Sequence, residues 1–298
     1  MTAADRCTGR FAPSPSGPLH FGSLLAALAS FVDARANAGR WLVRMEDLDP
    51  PREMPGADRL ILAALEQHAL HWDGDVLYQS SRHARYSEVL ADLLAQGLAY
   101  RCTCSRARLA TLNHVYDGHC RVNPPGVDQA CAIRLQLPDQ TIHFTDRIQG
   151  AQQQHLADAG DCVIHRKDGL YAYQLAVVVD DIGQGVTDVV RGSDILEATG
   201  AQIYLTGLLG GAAPRYAHVP VVLGDDGQKL SKQNHAKALD CSRPSQNLCR
   251  ALAVLGQNPP VELEHETSEV VVKWAVTHWD IALIPKKTGV MPTDSFTV

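Results

Sequence analysis

The sequence contains no uninterrupted apolar run of about 18 residues, the length a membrane-spanning helix needs. Its first ten residues are polar and mildly charged, without the apolar core of a secretory signal. It also lacks low-complexity tracts and an obvious internal repeat. These absences predict a cytoplasmic protein that does not associate with membranes.

Positive charge is scarce as well. Lysine and arginine number 27 against 33 acidic residues, a net charge of −6 with neutral histidines. That balance argues against a strongly basic nucleic-acid binder, although binding follows local charge rather than the total. One stretch, residues 101–121, carries Arg101, Arg106, Arg108 and Arg121 against Asp117 alone. It either faces phosphates or is a solvated basic surface, and the sequence leaves both readings open.

The eight cysteines do not predict a disulfide framework, because a reducing cytoplasm keeps thiols free. Cys7, Cys131, Cys162, Cys241 and Cys249 are scattered along the chain. Three others, Cys102, Cys104 and Cys120, are clustered and can occupy three corners of a tetrahedral zinc site. The spacing leaves the fourth ligand open among His114, Tyr116 and His119, and the alternative is three buried, reduced thiols.

Local patterns predict an α/β fold. A strand ending near Arg10–Pro13, a proline-rich loop, a helix from about Ser23 and a strand at Trp41–Met45 indicate a parallel βαβ unit. Further helices are expected at 57–70, 82–96, 201–209, 245–255 and 268–279. The apolar run Leu175–Val179 suggests a strand buried on both faces, with Asp180 and Asp181 near its end. No G-x-G-x-x-G motif supports dinucleotide binding.

Two motifs suggest phosphate chemistry. At the loop-to-helix junction, Gly22 lets a ligand approach the backbone and the helix start offers free N–H groups. His20 supplies a donor to an oxygen whose charge grows during reaction. Later, Lys229 and Lys232 lie three apart and can close on a polyphosphate as point charges. Each motif alone is better explained by a bland alternative: a histidine packed at a turn for the first and an exposed basic loop for the second.

In combination the motifs are specific. Arg10–Gly17, His20–Gly22, Arg44–Asp49 and Lys229–Lys232, in this order, strongly resemble the catalytic domain of class I glutamyl-tRNA synthetases over residues 9–238. Ser23 replaces the last histidine of the family's first signature, whereas both lysines of the second signature are retained. The resemblance implies a Rossmann-type parallel sheet split by an insert. The expected division is 1–100 and 151–238 for the two halves of the catalytic domain, 101–150 for a zinc-containing insert, and 239–298 for a small helical C-terminal part.

The resemblance also implies roles for individual side chains. Glutamate would be bound by Arg10, Phe11, Ala12, Pro13, Ser14, Glu46, Tyr173 and Arg191. ATP would be bound, with Mg²⁺, by His20, Gly22, Ser23, Lys229, Ser231 and Lys232, of which His20, Lys229 and Lys232 would be catalytic. A structural Zn²⁺ would be held by Cys102, Cys104, Tyr116 and Cys120. The alternatives are a structural Arg–Glu ion pair, a core tyrosine and reduced cysteines.

Only 65 residues follow Gln233, too few for the anticodon-binding domain of full glutamyl-tRNA synthetases. The chain therefore resembles a shorter family, the glutamyl-queuosine tRNA(Asp) synthetases, which glutamylate the queuosine base in the anticodon. Matching segments are Tyr116–Arg121, Val177–Asp181 and Lys229–His235. The implied partners are ATP, L-glutamate and queuosine-containing tRNA(Asp), bound by a monomer. The alternatives are a truncated glutamyl-tRNA synthetase that charges tRNA 3′ ends and a synthetase-like binding module without catalysis.

Overall fold

A five-stranded parallel sheet forms the centre of the protein. The computed structural model describes residues 7–112, 115–126, 128–224, 227, 229–230 and 237–291. The strands are β1 (Thr8–Phe11), β2 (Arg40–Met45), β3 (Leu77–Tyr78), β9 (Asp188–Gly192) and β10 (Arg215–Val219). They lie in the order β10-β9-β1-β2-β3, and each adjacent pair is parallel. The expected Rossmann-type sheet is confirmed.

The βαβ unit predicted at the start of the chain is also confirmed. Helix α1 (Phe21–Ala36) connects β1 to β2, and its Leu24 and Leu28 are fully buried. Burying a leucine contributes about 1.5–3 kcal/mol, so this helix anchors the core. Helix α2 (Ala57–Gln67) leads towards β3, and α8 (Thr199–Leu208) connects β9 to β10. The C-terminal helices α9 (Pro244–Val254) and α10 (Ser268–His278) pack against α1.

The region between β3 and β9 interrupts the sheet. It contains α3 (His83–Ala95), β4 (Ala99–Cys102), α4 (Arg106–Ala110), α5 (His119–Val122), β5 (Ala132–Leu135), β6 (Thr141–Asp146), β7 (Gly150–His155), α6 (Leu156–Ala159) and β8 (Cys162–His165). Strands β4, β5 and β8 form an antiparallel sheet, and β6 pairs with β7 as a hairpin. An insert is therefore present, and its antiparallel strands lie on both sides of residue 150. The exact division into domains stays a prediction.

The strand expected at Leu175–Val179 is wrong. These residues belong to helix α7 (Tyr173–Gln184), which ends at Gly185 with φ of 65°. The helix packs against α3, α8 and β8, and residues 175–181 are all buried. A helix enclosed on several sides shows the same continuous apolar run as a buried strand. Asp180 and Asp181 therefore lie on a helix rather than at a strand end.

A further two-stranded sheet joins distant parts of the chain. Strand β11 (Val221–Val222) follows β10, and β12 (Gly289–Val290) pairs with it in parallel. The segment after the C-terminal helices thus lies beside the strand that leads to Lys229. Among the described residues, none of the helices has the length and apolar character needed to cross a bilayer.

Candidate active site

A cleft of about 810 Å³ opens where β1 and β9 end. From β1 the chain proceeds to β2 on one side of the sheet, and it returns later through β9 on the other side. Ligands of open α/β sheets bind at such a switch point, outside the carboxyl ends of the strands. The cleft is lined by the residues expected to bind glutamate (Arg10, Phe11, Ala12, Pro13, Ser14, Glu46, Tyr173 and Arg191) and by four of those expected to bind ATP (His20, Gly22, Ser23 and Lys229). Ser231 and Lys232 lie outside the described residues.

The two signature motifs meet in space. His20 forms a β-bridge with Ala238, and the amide of Leu239 donates to the carbonyl of Leu19 at 2.8 Å. A β-carbon built on Gly22 would lie 3.7 Å from the carbonyl oxygen of Leu230 and 3.3 Å from the His20 ring. The absence of a side chain at Gly22 therefore keeps the backbone open between the motifs.

His20 caps helix α1 with its own ring. Its Nδ1 accepts a hydrogen bond from the amide of Ser23 at 3.2 Å, and its Nε2 lies 2.9 Å from the Ser23 hydroxyl oxygen. Because Nδ1 accepts, Nε2 carries the proton and can donate. Ser23, which occupies the position of the family's second histidine, thus helps to orient the first.

Lys229 approaches the cleft from the opposite side. Its Nζ lies 2.5 Å from Oδ2 of Asp194, and its side chain is 43% exposed. Asp194 also lines the cleft and follows strand β9. Since the ion pair is partly exposed, its contribution to stability is small and a stronger anion can replace the carboxylate. Sequence reasoning did not identify Asp194, because it belongs to no motif.

Two arginines share one buried carboxylate beside the cleft. Asp181 Oδ1 lies 3.3 Å from Nε of Arg10 and 2.8 Å from a terminal nitrogen of Arg44. Burial acts to raise the pKa of Asp181, but the two guanidiniums lower it below its usual range. Asp181 therefore remains ionised and fixes both arginines. Asp181 lies on α7, the helix that contains the segment expected as a strand. This helix therefore supplies the carboxylate that orients Arg10 and Arg44.

Glu46 is the least satisfied group in the cleft. Its Oε1 lies 3.8 Å from Arg44, and it has no hydrogen-bond partner among the described residues. Its side chain is 11% exposed, and burial raises its pKa to about 7, against the opposing effect of Arg44 and Arg10. A buried carboxylate oxygen without a donor is unfavourable unless a ligand provides one. The geometry suits a small cation such as an ammonium group.

Arg191 occupies the other wall and is held by neutral acceptors. Its guanidinium donates to Gln202 Oε1 at 2.7 Å, Thr199 Oγ1 at 2.9 Å, His218 Nε2 at 2.9 Å and the Tyr173 hydroxyl oxygen at 3.3 Å. Tyr173 begins helix α7, so its ring faces Arg191 from the helix end. The pair forms a rigid, positively charged wall.

The three clustered cysteines converge as their spacing predicts. The sulfur atoms of Cys102, Cys104 and Cys120 all lie within 4.8 Å of one another, with Cys104 and Cys120 at 3.4 Å. The Tyr116 hydroxyl lies 3.4 Å from Cys102 Sγ and 3.7 Å from Cys104 Sγ. A tetrahedral zinc ion with bonds of about 2.3 Å to sulfur separates its ligands by about 3.8 Å. The donor set therefore fits a metal ion.

The surroundings favour Tyr116 over His119 as the fourth ligand. His119 is exposed, and His114 lies outside the described residues. Arg134 lies 3.9 Å above the Tyr116 ring, and its Nε donates to Cys102 Sγ at 3.3 Å. A guanidinium in this position stabilises negative charge on the Cys102 sulfur.

The basic stretch beside this cluster is largely paired within the protein. Arg108 forms a bidentate pair with Asp117 at 3.0 and 2.7 Å, and Arg121 lies 3.8 Å from Asp161. Arg101 donates to the carbonyl of Gln129. These contacts pair two of the four arginines with carboxylates, and they do not decide between a phosphate-binding and a solvated surface.

Comparison with known proteins adds independent information. Residues 6–278 match the family described as class I tRNA synthetases (E and Q), catalytic domain. Similar relatives are the glutamyl-Q tRNA(Asp) synthetase of Pseudomonas fluorescens, 54% identical over 97% of this chain and 98% of the relative, and that of Ectopseudomonas mendocina, 54% identical over 93% and 95%. A crystal structure of a glutamate tRNA ligase from Elizabethkingia meningosepticum superposes with a TM-score of 0.81. It is 24% identical, and the match covers 98% of this chain and 68% of that one.

Proposed function

The chain belongs to the class I glutamyl- and glutaminyl-tRNA synthetase family, and on that premise we propose that it activates L-glutamate with ATP and transfers the glutamyl group to the queuosine base in the anticodon of tRNA(Asp). The observation that carries the proposal is near-complete coverage by glutamyl-Q tRNA(Asp) synthetases at 54% identity. The cleft supports it with a set of charges suited to an acidic amino acid.

Glutamate fits the charges of the cleft. Arg191, with no acidic partner among the described residues, would bind the side-chain carboxylate through its positive charge and the one N–H group that its four hydrogen bonds leave over. Arg10 would bind glutamate from the side of the cleft that β1 forms. The unpartnered oxygen of Glu46 would accept the α-ammonium group, and that contact would also favour ionised Glu46. The Tyr173 hydroxyl, which accepts from Arg191, would donate its own proton to the substrate.

Activation then joins two anions in line. An oxygen of the α-carboxylate attacks the α-phosphorus of ATP, and the bond to the bridging oxygen of pyrophosphate breaks, giving glutamyl-adenylate. The Nε2 proton of His20, turned from the Ser23 hydroxyl to the phosphate, and the ammonium of Lys229 would stabilise the growing negative charge. Lys232 and Ser231 would complete the set, although they lie outside the described residues. Bound Mg²⁺ would neutralise phosphate charge.

Transfer needs no covalent enzyme intermediate. A hydroxyl of the modified base attacks the acyl carbon of the adenylate, the acyl–phosphate bond breaks, and AMP leaves with the electron pair while its phosphate oxygen takes the hydroxyl proton. The residues that bind glutamate would hold the acyl group in place during this step.

The cysteine cluster would hold a structural Zn²⁺. Cys102, Cys104, Cys120 and Tyr116 would be its ligands, since their four donor atoms converge at distances suited to a tetrahedral ion. The ion would tie the end of β4 to α5 within the insert. The monomeric state and the cytoplasmic location stay predictions.

Two assays test the proposal. Glutamate-dependent exchange of pyrophosphate into ATP should proceed without RNA, and transfer of labelled glutamate should require tRNA(Asp) that carries queuosine. Unmodified tRNA(Asp) and unmodified tRNA(Glu) serve as matched acceptors. Equal charging of tRNA(Glu) would instead indicate a truncated glutamyl-tRNA synthetase, and folded protein without exchange would indicate a binding module.

A further inference from the structure

A buried histidine and aspartate lie directly behind Arg191. His218 is opposite Arg191 in the parallel register of β10 and β9, and its side chain is fully buried. Asp146, at the end of β6, is equally buried, and its Oδ2 lies 2.6 Å from His218 Nδ1. Neither residue lines the cleft, and neither belongs to a motif identified in the sequence.

The hydrogen bonds fix the protonation of this pair. Asp146 accepts from the backbone amides of Ile148, Gln149 and His218 at 3.0, 2.8 and 3.2 Å. With so many donors the carboxylate is ionised, and His218 Nδ1 must carry a proton to donate to it. The other ring nitrogen, Nε2, then presents a lone pair, which accepts Nε–H of Arg191 at 2.9 Å.

The electrostatics agree with this assignment. Burial lowers the pKa of His218, and the neighbouring charge of Arg191 lowers it further, so the ring is neutral near pH 7. Burial acts to raise the pKa of Asp146, but the hydrogen bonds from His218 and the backbone lower it. A neutral ring between an anion and a cation transmits orientation while keeping the two charges from direct contact.

Arg191 differs from the other two arginines of this region because its contacts leave its positive charge without a carboxylate partner. Arg10 and Arg44 both contact Asp181, whereas no carboxylate lies within 4.0 Å of the Arg191 guanidinium in the part of the chain that the structure describes. Its partners there are neutral oxygen and nitrogen acceptors. Its position is therefore fixed, yet its charge is not neutralised by contact.

We infer that His218, oriented by Asp146, is a positioning residue that holds Arg191 for the side-chain carboxylate of glutamate and keeps its charge available. The inference rests on the proposed function. A carboxylate in place of the imidazole would neutralise Arg191 and compete with the substrate. An apolar residue would leave the buried Arg191 Nε–H without an acceptor, so only Gln202, Thr199 and Tyr173 would hold the guanidinium. The pair therefore sets the preference for glutamate over glutamine.

The test uses Asp146→Asn, His218→Leu and His218→Gln, assayed by pyrophosphate exchange with the full chain. In D146N an amide NH₂ faces Nδ1, so the ring proton moves to Nε2 and opposes Nε–H of Arg191. The KM for glutamate should rise about 10- to 100-fold, as expected for losing a hydrogen bond to a charged group. The KM for ATP should stay within about twofold, because Lys229 and His20 lie elsewhere in the cleft.

The other variants sharpen the result. H218L should resemble D146N, and H218Q, which retains an acceptor for Arg191, should recover part of the loss. In both D146N and H218L the ratio of glutamate to glutamine activation should fall. The matched control is a solvent-accessible pair beside the same hairpin, partly exposed His155 and exposed Asp139, whose side chains lie 3.1 Å apart. H155Q and D139N should retain wild-type values of both KM constants.

The outcomes separate the two claims. Wild-type protein without glutamate-dependent exchange would overturn the proposed function and this inference with it. Active wild type, with variants that keep its glutamate KM, would overturn the inference alone. A parallel rise of both KM values with a lower melting temperature would also overturn it, because that pattern indicates a general structural role. Should H218L fail to fold, D146N and H218Q decide the matter by the same criteria.

Discussion

Replacing Glu46 by glutamine should stabilise the free protein and impair its activity. The Glu46 carboxyl is 11% exposed, one of its oxygens has no hydrogen-bond partner among the described residues, and burial raises its pKa from 4.5 to about 7. A rise of that size corresponds to about 3 kcal/mol. At pH 8 the unliganded protein therefore keeps an ionised carboxylate that would be more stable in water.

The sign of the pH dependence follows from proton binding. Between pH 4.5 and about 7 the folded protein holds a proton on Glu46 that the unfolded chain releases, so this group's contribution to stability declines as pH rises. The stability of E46Q relative to wild type should accordingly increase over this interval and level off above it. Urea unfolding at pH 5, 6, 7 and 8.5 measures the difference, with an expected total change of up to about 3 kcal/mol.

Activity should change in the opposite direction. Because the glutamine amide cannot supply a charged acceptor for the α-ammonium, the KM for glutamate should rise about 10- to 100-fold at pH 8. The wild-type KM should itself fall as pH rises through about 7. Glu88→Gln, at an exposed surface ion pair, is the control and should change neither quantity. A stability difference between E46Q and wild type that is constant from pH 5 to 8.5 would refute the assignment.

Three further results are expected. Cys120→Ser should reduce bound zinc well below one ion per chain, measured by atomic absorption, whereas Cys241→Ser should not; full zinc content in the first variant would contradict the proposed ligand set. Lys229→Ala should slow pyrophosphate exchange about 10²- to 10³-fold while the melting temperature changes little, and an unchanged rate would remove this lysine from the mechanism. A chain ending at Lys286 lacks β12, and with it the carbonyl of Thr288 to which the Ser193 hydroxyl donates. The KM of the shortened chain for ATP should rise more than its KM for glutamate, because the chain continues from β11 to Lys229. KM values equal to those of the full-length protein would show that β12 does not position the segment that carries Lys229.

Local signals predicted the parts of the fold that local geometry determines. The βαβ unit follows from prolines in a loop, apolar residues at helical spacing and an apolar strand, all within the first 45 residues. Leu175–Val179 could not be assigned in the same way, because a short apolar run fits a buried strand and a buried helix equally well. Only the packing of α7 against α3, α8 and β8 decides between them.

The candidate site shows the same limit. Linear motifs located the residues that line the cleft, and the short spacing of Cys102, Cys104 and Cys120 predicted their cluster. The supporting groups are separated from their partners in sequence: Arg10 and Asp181 are 171 positions apart, and Asp146 and His218 are 72 positions apart. Sheet register and helix packing create these contacts, so no pattern within one segment reveals them.

The supporting groups explain why the cleft suits glutamate in particular. Arg10 and Arg44 contact the carboxylate of Asp181, and Arg44 also lies near Glu46, whereas Arg191 has no carboxylate within 4.0 Å among the described residues, so the excess positive charge faces the cleft at Arg191. Glutamate, with one ammonium and two carboxylates, brings one net negative charge, whereas glutamine brings none. In a low-dielectric cleft such an imbalance is costly, so the neutral analogue is disfavoured even where its shape fits. The positive charge of Arg191 remains available because His218 separates it from the carboxylate of Asp146. His218 therefore contributes to the preference for glutamate although it lies outside the cleft.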